Sequence, residues 1–157
     1  CPEIQGPMDN AGILYTSEAW GTWGDQITAK GDVMFPPIRE RFEGGAGHKA
    51  SDYVAAWLQL DQVRQVWAQK MAGFDAVLCP TVPNMPPNID RLMSDNDYYV
   101  TENLLTLRNT RVGNLMGLAV VTLPTGTPSC GISLMGRADG EESLLAVAVA
   151  AERALGE

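Results

Sequence analysis

One histidine, three cysteines and two acidic pairs are the first side chains of this 157-residue chain to weigh for nucleophilic or acid–base chemistry. A Cys–His hydrolase would need His48 to take the proton of Cys79 or Cys130. His48 lies in the glycine run EGGAGHKAS, a flexible connector, and both cysteines fall in apolar runs, where a free thiol packs as a small hydrophobe. Inert packing is the better reading of both. GGAGHKA superficially resembles a phosphate loop, but no Ser or Thr follows Lys49, the glycine spacing differs and no strand precedes it. The pairs Glu141–Glu142 and Asp95–Asp97 could work as acid and base. A helix start and a solvated loop account for them without catalysis. Trp57 and Trp67 belong to a helical apolar stripe, leaving Trp20 and Trp23 as candidates to line a pocket. No cluster has metal-ligand spacing, and no cofactor is implied. The side chains alone describe an α/β domain without a visible active site.

The elements that would position such residues follow from periodicity and turn residues. Leu118–Leu123 and Cys130–Met135 read as strands around a loop carrying Pro124, Gly126, Pro128 and Ser129. Gly113 and Gly117 precede the first of them, where the backbone needs positive φ or close approach. Tyr53, Trp57, Leu60, Val63, Trp67 and Met71 recur at spacings of three and four, predicting a helix capped by Ser51 and stopped at Gly73. Ala76–Cys79 is a short buried-type strand halted by Pro80. Residues 11–16, AGILYT, read as a short strand, Pro36–Arg41 as a helical turn, 83–97 as a long irregular connection and 101–110 as a helix. Asp139 and Glu142 have capping-box spacing ahead of a helix whose Leu144, Ala148, Ala151 and Leu155 share a face. The order predicts an α/β fold with a mixed β-sheet flanked by helices.

Bulk properties exclude several classes. A net charge of −8 with no basic cluster argues against a nucleic-acid partner. No run is long and apolar enough for a membrane span, and no signal peptide opens the chain. Three cysteines without a CxxC fit a reduced, cytoplasmic protein. The absence of an opening methionine reads as a fragment or a processed product, or reflects how the chain was produced.

Four segments, in order, carry a resemblance. They are YTSEAW followed by DYVAAW; FDAVLCPTVPNMPP; RNTRVGNLMGLAVVTLPTG, with Thr110, Asn114, Gly117, Pro124 and Gly126; and GISLMGRADGEESLLAVAVAAERAL, with Gly136 and Glu152. Together they resemble the C-terminal portion of the amidase signature family, over 11–155 and most strongly over 74–155. Ala119 departs from the proline many members carry. The resemblance implies an amidohydrolase cleaving a carboxamide C–N bond with a Ser–Ser–Lys triad, the class also including a glutamine-dependent amidotransferase subunit. The six serines here are never adjacent, and Lys30, Lys49 and Lys70 sit outside any Gly/Ser-rich signature. The triad is therefore expected upstream, with no catalytic residue in 1–157, which reads as one domain or fragment.

On that reading the chain completes the substrate pocket. The residues expected at the strand-end loops are Tyr15 and Glu18, Thr81, and Arg108 and Asn114. Each also has a structural reading: helix start or packing for Tyr15 and Glu18, a turn cap for Thr81, a solvated helix position for Arg108 and a hydrogen-bonding role for Asn114. The Arg108 charge would suit an acidic substrate. The partners implied are a small-molecule amide and the N-terminal part of the same enzyme, with a homodimer as a further option. The alternatives are a stand-alone, non-catalytic binding module keeping part of an amidase fold, and the Cys–His hydrolase.

Overall fold

A computed structural model describes residues 1–156. The chain divides into two compact units, Cys1–Gln65 and Val66–Glu157. Among the described residues, no helix is long and apolar enough to cross a membrane.

The N-terminal unit is helical. It comprises α1 (Gln5–Asp9), α2 (Ala11–Lys30), α3 (Pro36–Glu43) and the first part of α4 (Ala50–Met71), with 3-10 turns at Gly31–Val33 and Gly44–Gly47. The strand expected at 11–16 is the first part of α2. Ala11 and Leu14 are buried one helical turn apart, so the apolar period is helical rather than alternating. Gly12, Gly21 and Gly24 weaken the intrinsic helix preference of this segment, and burial overrides them. Polar ties close the unit. Asn10 Nδ2 donates to Gln59 Oε1 at 2.7 Å, and the Tyr53 hydroxyl donates to Glu18 Oε1 at 2.8 Å.

Helix α4 begins at Ala50, so Ser51 stands inside its first turn. The Lys49 carbonyl accepts from the Asp52 and Tyr53 N–H groups, and the Ser51 hydroxyl turns to Asp52 Oδ1. The predicted apolar stripe holds, with Leu60, Val63 and Trp67 buried. Trp57 lies edge-on to Tyr53 and beneath the Arg64 guanidinium.

The C-terminal unit contains β1 (Val77–Pro80), α5 (Ile89–Ser94), α6 (Asn96–Thr106), α7 (Arg108–Met116), β2 (Val120–Pro124), β3 (Gly131–Met135) and α8 (Glu141–Gly156). The sheet order is β1-β3-β2 and both pairings are antiparallel. The α/β class stands. These three strands, however, make no parallel pair, and the expectation of a mixed sheet does not describe them. The short β2–β3 connection forces a hairpin, and β1 runs against β3 on its other side. Leu123 and Leu134 face α8 and form a buried cluster with its Leu144 and Ala148. Strand β1 is half-exposed rather than buried, because Leu78 and Pro80 project outward.

Three local corrections follow from capping. The irregular stretch 83–97 contains α5, capped by the Asn88 side chain accepting from the Arg91 N–H, and the start of α6. The Asp95 carboxylate accepts the Tyr98 N–H at 2.9 Å, so the helix expected at 101–110 starts earlier and breaks at Leu107. That bond holds the Asp95 carboxyl below its ordinary range. At α8 no Asp139 cap forms. Asp139 has φ 53, and the Gly140 carbonyl accepts from the Leu144 N–H and the Ser143 hydroxyl.

Candidate functional site

Strand β3 carries Ser133, the one buried polar side chain among the described residues. Alternation puts Gly131, Ser133 and Met135 on the sheet face opposite α8, level with Thr122 of β2 and Cys79 of β1. The Ser133 hydroxyl lies 2.9 Å from Thr81 Oγ1 and 3.0 Å from Thr122 Oγ1, making a row of three hydroxyls across the sheet. Gly131 is required beside it. A Cβ there would meet Thr81 Oγ1 at 3.0 Å and the Thr122 methyl at 3.2 Å. Three hydroxyl protons serve two internal hydrogen bonds, so one proton stays free to donate outward. Such a row can bind a carbonyl or carboxylate oxygen.

The end of β1 is fixed by its neighbours. The Thr81 N–H donates to the Gly131 carbonyl at 2.9 Å, extending the pairing past Pro80. The Pro80 carbonyl accepts Asn109 Nδ2 at 2.7 Å, which brings the start of α7 to the strand end. The loop beyond is held by Asn84, whose Nδ2 donates to Glu102 at 2.7 Å and to Thr106 at 3.1 Å. Helix α7 ends in a left-handed glycine, Gly117 at φ 67. The Leu118 and Gly117 N–H groups return to the Gly113 and Asn114 carbonyls. Gly113 permits the approach to β2, since a Cβ there would come within 2.8 Å of Val120 Cγ2.

The structure distributes the sequence candidates unevenly. Thr81 sits in the hydroxyl row. Arg108 opens α7 next to Asn109, exposed at the same strand end. Asn114 is exposed on α7 with its backbone carbonyl engaged, and its side chain makes no hydrogen bond among the described residues. Six residues of helix place it roughly 9 Å along the axis from Arg108. Tyr15 and Glu18 lie mid-helix on α2 in the N-terminal unit, not after a strand, and Glu18 is the acceptor for Tyr53. Sequence reading missed Ser133, Thr122 and Asn109. Nothing local marks them, since each acquires its role through a partner distant in the chain.

The other reactive groups add no activated nucleophile to this site. Burial pushes the Cys79 thiol up from its ordinary value, which disfavours the thiolate a nucleophile needs. His48 is not in a free loop. Its Nδ1 lies 3.0 Å from Ser17 Oγ and 3.4 Å from Thr16 Oγ1, tying the Gly44–Gly47 turn to α2. Among the described residues no carboxylate is hydrogen-bonded to that ring, so the pair lacks the orienting group of a triad. No group of His, Cys, Asp or Glu there could hold a metal ion.

Comparison with known proteins gives one consistent answer. The family model described as Amidase matches residues 26–145, more than half of the chain. The 2-amino-5-chloromuconic acid deaminase of Comamonas testosteroni is 26% identical over 150 residues, covering 93% of this chain and 32% of that protein. A glutamyl-tRNA(Gln) amidotransferase subunit from Halobacterium salinarum is 28% identical over 142 residues, covering 85% and 33%. A crystal structure of an amidase superposes with a TM-score of 0.74 at 20% identity, over 93% of this chain and 34% of that one. The chain thus spans about a third of the length of the relatives it matches.

Proposed function

Because this chain belongs to the amidase family, we propose that it is the C-terminal portion of an amidohydrolase that cleaves a carboxamide C–N bond. In this reading the Ser–Ser–Lys machinery comes from residues outside 1–157. The nucleophilic serine attacks the amide carbonyl while the lysine, neutral in its site, takes its proton; the C–N bond breaks as the amine or ammonia leaves with that proton, and water then hydrolyses the acyl-enzyme to the acid. This chain contributes binding and orientation. Thr81, Ser133 and Thr122 offer the free hydroxyl proton to a substrate oxygen, and Arg108 offers positive charge at the same strand end. Asn114 joins the proposed substrate-binding residues of this unit, and Tyr15 and Glu18 are proposed separately as those of the N-terminal unit. The partners are a small-molecule amide and the remainder of the same enzyme, without nucleic acid, and the setting is cytoplasmic.

The observation that carries this reading is the hydroxyl row with its one unspent donor. Thr81→Val keeps the shape and removes the end hydroxyl. In the full-length protein, ammonia release from its best carboxamide should show KM raised about tenfold with kcat within about twofold. That is the loss of one hydrogen bond, roughly 1.4 kcal/mol, made equally to ground and transition states. An unchanged KM would remove Thr81 from the substrate site.

A further inference from the structure

An apolar cleft in the N-terminal unit stands apart from these groups. Trp23 and Ile27 of α2, Val33 and Met34 from the turn after it, and Phe42 of α3 wall a space of about 350 Å³, with Gln26 and Lys30 at the rim. That volume is in the range of small-ligand pockets. Trp23, Gln26, Ile27 and Lys30 share one face over the last two turns of α2, so the helix register alone brings the cation to the aromatic wall. The chain then turns at Gly31, where a Cβ would crowd the Arg39 guanidinium at 2.9 Å.

The charges around the cleft are unequal in their engagement. Arg39 is bound by Glu43 at 2.7 Å. The Lys30 ammonium and the Gln26 carboxamide make no hydrogen bond or ion pair among the described residues. A free cation and a free amide donor stand over an apolar wall, in a chain whose net charge of −8 otherwise repels anions. From this juxtaposition we infer that the cleft binds a monocarboxylate with an apolar tail, the tail between Trp23 and Phe42 and the head group on Lys30 and Gln26. A neutral apolar molecule would leave the head-group donors unused.

Decanoate and decanol, titrated calorimetrically into the full-length protein below their aggregation limits, separate head group from tail. Decanoate should bind saturably and at least about tenfold more tightly than decanol, a margin of roughly 1.4 kcal/mol. Lys30→Met, at an exposed position, should erase that margin while leaving decanol binding in place. Val33→Glu, at the most exposed wall position, should abolish decanoate binding by setting a like charge at the rim. Equal affinity for the two probes, no saturable binding of decanoate, or a Lys30→Met protein that keeps the margin would each overturn the assignment. The readout is binding alone, so its failure leaves the amidase reading standing, and loss of that reading leaves this one.

Discussion

Gly45→Ala will destabilise the N-terminal unit by about 3 kcal/mol, whereas Gly44→Ala, one residue earlier, will stay within about 0.5 kcal/mol of the parent. The contrast is geometric. A Cβ on Gly45 would run into the Thr16 carbonyl oxygen and lie 3.0 Å from the Trp20 Cβ, while a Cβ on Gly44 meets nothing within 4 Å. The first obstacle is helix backbone, which cannot rotate aside as a side chain can. The Gly44–Gly47 turn must therefore lift from α2, and the Ser17–His48 contact breaks with it. Overpacking of a well-filled site costs about 1–3 kcal/mol, and a backbone obstacle belongs at the upper end. Chemical denaturation of the two variants side by side checks this. Equal midpoints would show that the turn does not pack where the structure has it.

Leu134→Ala will cost about 3 kcal/mol in the C-terminal unit. Leu134 is 1% exposed and central to the three strands, where its side chain meets Leu123, Leu144 and Ala148. Its cross-strand partner Leu78 supplies the control. Leu78 shares the same row of the sheet but is 61% exposed, since α8 packs chiefly over β2 and β3. Leu78→Ala in the same chain should cost less than about 1 kcal/mol, in keeping with the small area it removes from contact. Denaturation midpoints that rank these two alike would contradict the placement of α8.

What the sequence discloses is what local periodicity encodes. The β2–β3 hairpin is legible because two apolar runs bracket a loop of Pro, Gly and Ser. Helices α4 and α8 are legible because buried residues recur at three and four. Helix α2 is not, since Ile13, Leu14 and Tyr15 look strand-like in isolation and three glycines dilute the helical signal; only the burial of Ala11 and Leu14 one turn apart restores the register. The same limit applies to the site. Thr81 can be suspected because it follows a strand ended by proline. Ser133 is one of six serines with nothing beside it to mark it. Its hydroxyl gains meaning only when antiparallel register brings in Thr122 from 11 residues away and Thr81 from 52. Pairing at that separation leaves no local trace.

The proposed function puts the nucleophile outside 1–157. Reacting the full-length protein with a serine-directed fluorophosphonate, then mapping the labelled peptide by mass spectrometry, tests it most directly. The expected result is one labelled serine on a peptide outside 1–157, with loss of ammonia release in step with labelling. A label on Ser17 beside His48, on Ser133, or on any other serine of these 157 residues would contradict it.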